Sequence, residues 1–242
     1  MVNVKPIELD GSTLEGGGQL VRVALSLSAI TGIPIHLYNI RANRSRQGLR
    51  QKGAGSPRAG HDGRGGQQGS SKQRRSTTSG VGEGGLKESH LAALIYLTCY
   101  CDAYVEGAEV GSSEVTFIPG AGGSVSSSKS SNSRKKESTV KFDTNTIELQ
   151  NPGSVWLIFQ ALYPFLVFGN HKEDFFNKQN DHGEYYTELT FRGGTNVSKA
   201  MSSEYLQQVF LPICAKIGLP KTEVKVVERG WAGAASRIGE IK

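Results

Sequence analysis

Apolar residues recur along this chain in blocks of two kinds. Short runs that alternate with polar residues predict strands at Ile7-Glu8-Leu9, 33–40 (IPIHLYNI), 113–120 (SEVTFIPG), 187–194 (TELTFRGG) and 222–230 (TEVKVVERG). Longer runs spaced by three and four predict helices over 20–32, 90–103, 155–169 and 205–218. The spacing is clearest at Leu91, Leu94, Ile95, Thr98 and Cys101, and again at Leu206, Val209, Phe210, Ile213 and Ile217. Gly32 and Gly218 follow the last turns, where a helix needs a left-handed residue to stop. Residues 7–9 and 147–149 both read Ile-Glu-Leu, and each is followed by a Gly/Ser turn and an apolar helix. The order β-α-β-α-β occurs twice, over about 5–120 and 140–231. It predicts an α/β (α+β) protein of repeated units with helices packed on a sheet.

Two stretches interrupt the pattern. Residues 51–85 contain one valine, Val81, and no other large apolar residue; residues 122–138 are mostly serine, glycine and lysine. Neither has enough apolar surface to offset its chain entropy, so both are expected to be unstructured insertions. A retained intron would also give the first. They change the reading of charge. The chain carries +6, but residues 50–85 alone carry +5 and 122–138 carry +3, which leaves the remainder slightly acidic. The basic total therefore describes two loops and is weak evidence for a nucleic-acid groove.

No run of about 18 apolar residues is present, so no membrane span is expected. The first ten residues lack the apolar core of a secretory signal, and Cys99, Cys101 and Cys214 have neither disulfide nor zinc spacing. An intracellular protein is expected.

The candidate chemistry begins at Asp10-Gly-Ser-Thr-Leu-Glu15-Gly-Gly-Gly-Gln19-Leu-Val-Arg22. It lies between a strand and a helix. Glycines permit close backbone approach, and a helix start offers free N–H groups to an anion. Gln19, Arg22 and Ser26 share one helix face; Leu20, Ala24, Leu27 and Ile30 are expected to pack on the sheet. An arginine in a first helical turn opposes the helix dipole and calls for a negative partner, Glu15 or a phosphate. Arg41, Arg44 and Arg46 end the next strand, where phosphate could be clamped. Gln160 interrupts an apolar helix, so a buried amide with a partner is expected there. Each motif also has a plain reading: a Gly-rich turn, a solvated basic loop, a satisfied core amide.

The blocks LDGSTLEGGGQLVRVALSLSAITG (9–32), IRANRSRQGL (40–49), KESHLAAL (87–94), VEGAEVGSSEVTFIPG (105–120), FRGGTN (191–196) and EYLQQVFLPI (204–213) closely resemble RNA 3'-terminal phosphate cyclases, in order. The resemblance implies an enzyme that uses ATP and a divalent metal, Mg or Mn, to turn an RNA 3'-terminal phosphate into a 2',3'-cyclic phosphate. In that chemistry a histidine is adenylylated, AMP passes to the phosphate, and the 2'-OH displaces it. The resemblance assigns Glu15, Arg22, Arg41, Arg44 and His90 to the catalytic site, Gln19 and Gln160 to the nucleotide, and Glu15 weakly to metal. It also implies a place in RNA processing in the nucleus, with the cytoplasm as the alternative.

Departures from the family pattern are present. Ser89 stands where the family has glutamine, Met201 where it has proline, and Ala232 to Arg237 replaces a Gly-rich turn. The resemblance places the nucleophilic histidine further along, in a third repeat beyond a smaller inserted domain, and neither is among these 242 residues. The chain is therefore expected to be incomplete at its C-terminus and inactive alone. The alternative is a non-catalytic cyclase-like RNA-binding or ribosome-assembly factor. Such relatives lack the EGGGQ-x-x-R set that this chain has. A generic RNA-binding module is the third reading, and no RNA-binding aromatic block supports it.

Overall fold

The computed structural model describes residues 5–13, 17–43, 84–122, 124–126, 140–143, 145–169, 171, 176, 178–232 and 236–242. Most of the insertion expected over 51–85 and much of 122–138 lie outside them.

In the first half, β1 (Ile7–Asp10) leads to α1 (Gly18–Thr31), β2 (Ile35–Tyr38), α2 (Glu88–Tyr100), β3 (Tyr104–Glu106), β4 (Val115–Ile118) and β5 (Ser124–Ser126). The second half contains β6 (Val140–Asp143), β7 (Thr146–Leu149), α3 (Val155–Phe168), a small hairpin of β8 (Lys178–Gln179) and β9 (Tyr185–Tyr186), and β10 (Thr190–Gly193). A helical rod follows: α4 (Ser203–Tyr205), a π-helical turn (Leu206–Phe210) and α5 (Leu211–Lys216). Strands β11 (Val226–Glu228) and β12 (Gly239–Ile241) close the chain. Pro212 has no N–H to give to the ladder, and the wider turn, with Leu211 N–H on Leu206 O, lies just ahead of it.

The sheets run β1-β2-β4-β3-β5 and β6-β7-β10-β12-β11. β1 pairs parallel with β2 as β7 does with β10, and the next two pairings are antiparallel in both sheets. The repeated unit is thus β-α-β-α-β-β, one strand longer than the alternation predicts. The segment 222–230 matches β3, and β12 is the counterpart of β4. Strands of three residues beside glycine are too short to show an alternation. A further correction concerns 124–126, which pairs parallel with β3 although composition marks it as loop. Ladder bonds are made by backbone, and an open sheet edge can recruit a serine-rich segment.

The helices meet between the sheets: α1 and α2 both pack on α3, and α2 also lies against β6 and β7 of the second sheet. That explains the composition of α2, which is apolar on nearly every side and buried from Ser89 to Leu94. Buried residues of both halves form one continuous core. No described helix is long and apolar enough to cross a membrane.

The buried stripe of α1 is Val21, Leu25 and Ser28. Of the face expected from the sequence, Leu20, Ala24 and Ile30 are half-buried against the core and Leu27 is 52% exposed, so the helix is rotated part of the way toward Val21 and Leu25. The helix carries two apolar stripes of similar strength, and the packing of α2 and α3 selects between them.

Candidate anion site

The turn after β1 is laced to the segment after β2. Asp10 accepts the Ser12 N–H (2.9 Å), the Ser12 hydroxyl (2.7 Å) and Asn39 Nδ2 (3.3 Å), bonds that hold its carboxyl below the usual value, Ser12 N–H foremost. Asn43 Nδ2 donates to Ser12 O at 2.8 Å. Gly11 N–H donates to Tyr38 O, and a β-carbon on Gly11 would lie 2.9 Å from Ile40 Cα. Beyond β2 the backbone is left-handed at Asn39 (φ 52°) and Arg41 (φ 56°). For an arginine that conformation costs roughly 1–2 kcal/mol, and it turns the side chain inward. Arg41 is buried, and its Nη1 donates to Gly85 O at 3.2 Å. Gly85 N–H returns a bond to Ile40 O at 2.7 Å. Gly85 therefore belongs to this site and not to the insertion whose end it marks.

His90 closes the cluster. It is 3% exposed. Its Nδ1 accepts the Lys87 N–H at 3.3 Å, which places the ring proton on Nε2. That nitrogen faces α1: a β-carbon built on Gly18 would lie 2.3 Å from His90 Nε2 and 3.1 Å from Arg22 Nη1. Any side chain at position 18 would have to displace the His90 ring. Burial, then the charges of Arg22, Arg41 and Lys87, push the imidazole down to about 3, so His90 is neutral at physiological pH.

Arg22 begins the second turn of α1, not the first. Its Nε is buried and finds no hydrogen-bond partner among the described residues, and burial pulls its basicity down. An unsatisfied buried N–H on a cation is costly, and an anion is the species that would satisfy it. The start of α1 adds to this pull. Gly17 caps it in extended conformation with no side-chain acceptor, so the first amides are not claimed by a capping side chain.

Of the residues named from sequence, Arg22, Arg41 and His90 are brought together. Glu15 and Arg44 lie outside the described residues. Gln19 is exposed at the start of α1. Gln160 is exposed on α3, so the buried amide expected there is corrected. A polar residue in an apolar run can mark the one side of a helix that meets water. Pro164, four residues on, also withholds the helical N–H from the Gln160 carbonyl.

Sequence reasoning missed Gly18, Gly85, Lys87 and Glu88. The signal available was Lys-Glu at the start of an apolar helix. Glu88 reaches the second half: its Oε1 accepts the N–H of Gln150 (2.5 Å) and of Asn151 (3.3 Å), and its Oε2 accepts Asn151 Nδ2 (3.0 Å).

Among the described residues no group of three His, Cys, Asp or Glu could hold a metal ion. Glu15, which the resemblance assigns weakly to metal, lies outside the described residues. A cavity of about 440 Å³ opens elsewhere, in the second half between Tyr163, Gln207, Cys214 and Thr222. Its cation, Lys221, is paired with Glu223 at 2.5 Å, so it lacks the unspent charge of the Arg22 cluster.

The family model for RNA 3'-terminal phosphate cyclase matches residues 13–58 and 72–241. The chain is 33% identical over 224 residues to the RNA 3'-terminal phosphate cyclase of Pyrococcus furiosus, covering 93% of this chain and 45% of that protein. It is 30% identical over 224 residues to the one from Saccharolobus solfataricus, with the same coverage. It is 29% identical over 239 residues to the one from Sulfurisphaera tokodaii, covering 98% of this chain and 50% of that protein. The chain spans about half the length of the curated relatives it matches.

Proposed function

Because the chain belongs to the RNA 3'-terminal phosphate cyclase family, we propose that the Arg22 cluster is a phosphate-binding part of an ATP-dependent RNA 3'-phosphate cyclase. The observation that carries this is the buried Nε of the half-buried Arg22, which has no hydrogen-bond partner among the described residues, beside the start of α1, whose first amides Gly17 does not cap with a side chain. Phosphoryl oxygens would take the Nε proton of Arg22 and the first amides of α1, while Arg41 and Lys87 supply positive field. The nearby imidazole is kept neutral, so it can act there as a hydrogen-bond donor through Nε2. ATP is the proposed nucleotide and an RNA 3'-terminal phosphate the proposed second anion; Glu15, Gln19, Arg44 and Gln160 remain proposed contacts by resemblance.

His90 is poorly placed to be the nucleophile. Its Nδ1 is occupied by Lys87 N–H, and its Nε2 carries the proton against Gly18. His36 is paired with Glu8 at 3.1 Å, and His171 Nε2 lies 3.1 Å from Leu166 O. His61 lies outside the described residues and His182 is exposed in the β8–β9 hairpin. The resemblance makes none of the five histidines the nucleophile, and we expect no acid-labile, alkali-stable AMP adduct when the 242-residue polypeptide is incubated with α-labelled ATP. Such an adduct, located to His90, would overturn the role given to that residue.

The binding claim is tested by calorimetric titration with ATP and with 3'-phosphorylated and 3'-hydroxyl oligoribonucleotides. Arg22→Met should weaken ATP binding at least about tenfold, the scale of a charge-assisted contact. Equal affinity in wild type and Arg22→Met would remove this reading. RNA binding indifferent to the 3' end would favour the non-catalytic alternative. The relatives named above are archaeal, and cells of that kind have no nucleus, so a nuclear address draws no support from them.

A further inference from the structure

The start of α2 is capped from within, His90 Nδ1 accepting the Lys87 N–H at 3.3 Å, a bond that moves with the helix and does not tie it to the rest of the fold. Its N-cap residue is Lys87, whose side chain cannot accept a bond, and the rest of the helix is held by apolar contacts. Apolar contacts fix depth but are forgiving in rotation and sliding. The first-turn residue Glu88 supplies the direction. Its carboxylate takes two backbone N–H groups and one amide N–H from residues 150 and 151, at 2.5, 3.3 and 3.0 Å. These residues lie in the turn between β7 and α3, the second-half counterpart of the Gly-rich turn between β1 and α1. Lys87 and His90 flank Glu88 on the same helical turn, and His90 has no slack against Gly18.

We propose that Glu88 is a positioning residue. By tying the start of α2 to the β7–α3 turn, it sets the height and rotation at which Lys87 and His90 meet Arg22 and Arg41. Its effect on anion affinity rests on the phosphate reading above; its effect on His90 does not. The tether also makes the anion site depend on both halves of the molecule, although every cation in it comes from the first.

The test uses the 242-residue polypeptide with ¹⁵N-labelled histidine, comparing wild type with Glu88→Gln, Glu88→Asp, Glu88→Ala and Asn151→Ala. The His90 ring nitrogens are followed by NMR while inorganic tripolyphosphate is titrated in. Glu88→Ala should shift and broaden the His90 signals and weaken tripolyphosphate on the order of tenfold, as loss of a supporting shell typically does. Glu88→Gln keeps an acceptor for the two backbone amides but sets a second NH₂ against Asn151 Nδ2, so it should fall between. Glu88→Asp should be the better rescue in charge and the worse in reach. His90 signals unchanged in Glu88→Ala, in a protein that still melts cooperatively, would overturn the proposal. If Glu88→Ala does not fold, Glu88→Gln and Asn151→Ala decide the matter by the same signals. If wild type binds no tripolyphosphate, the phosphate reading fails, and the ring signals still judge the tether.

Discussion

The two halves share a topology and differ in how they use the same three junctions. In the first half the turn from β1 to α1 is long and rich in glycine, Arg41 ends β2 in a left-handed conformation, and Lys87 and His90 begin α2. Charges collect where these meet, and Arg22 Nε has no hydrogen-bond partner among the described residues. In the second half the arginines at the corresponding places are paired, although Ser154, the N-cap of α3, makes no side-chain cap bond and its Oγ is buried without a partner among the described residues. Trp156 Nε1 donates to Thr195 O at 2.7 Å, and Thr195 and Gly230 exchange bonds through backbone and hydroxyl. The turn before α3 already holds a carboxylate, that of Glu88. Arg192 is spent between Glu148 (3.4 Å) and Glu240 (2.9 Å). One fold thus yields a corner with a cation atom that has no partner among the described residues and a corner whose arginines are paired with carboxylates. The block FRGGTN lies in the second corner.

If that contrast is right, damage to the two corners should differ in kind. The largest effect is expected from Gly230→Ala. Its β-carbon would sit 2.4 Å from both Gly193 O and Gly239 N, and backbone cannot step aside. A loss of about 3 kcal/mol or more is expected, seen as a melting temperature lower by roughly 10 °C. A normal melt would show that the second corner is less tightly packed than its geometry says.

The next effect lies in the first corner and depends on pH. The His90 pKa falls from 6.5 to about 3 on folding, so the unfolded chain binds more protons between those values. Stability is full above pH 6.5 and declines as pH falls toward 3. At pH 5 the deficit from this group is about 2 kcal/mol. His90→Asn should flatten that part of the urea-unfolding profile relative to wild type, since Asp10 and Glu204 titrate in both proteins. Parallel profiles would mean that His90 is protonated in the native state.

The smallest change is expected from Gly18→Ala. The added methyl must displace His90, a side chain, not backbone. Melting should fall by only about 1 kcal/mol, while tripolyphosphate affinity falls roughly tenfold. Equal losses at Gly18 and Gly230 in stability would erase the distinction between the corners.

Some of this was legible in the sequence. The helices were, because their apolar spacing is long enough to see, and the doubled unit was, through the repeated Ile-Glu-Leu. The rotation of α1 was not, since Leu20-Ala24-Leu27 and Val21-Leu25-Ser28 are near-equal stripes and only neighbours choose between them. Arg22 and Arg41 could be named as cations at a helix start and a strand end, and His90 only through the resemblance of its block, KESHLAAL, to the family. Gln160 misled, because burial was inferred from its neighbours in sequence and it stands on the wet side of α3. Glu88 could not be paired in advance, since its partners are 62 and 63 residues away. No local pattern encodes a contact between two units.

The burial of α2 on nearly every side has a kinetic consequence. During synthesis it is complete at Tyr100, but the helix that covers it, Val155–Phe168, is not yet made. At roughly 5–20 residues per second, several seconds pass in which the sides of α2 that α3, β6 and β7 later cover are left without those partners, although α1 is already made. The first unit cannot settle as an independent foldon and waits for the second. A nascent chain stalled between residues 100 and 155 is the species most exposed to aggregation, and the one a ribosome-bound chaperone would hold longest.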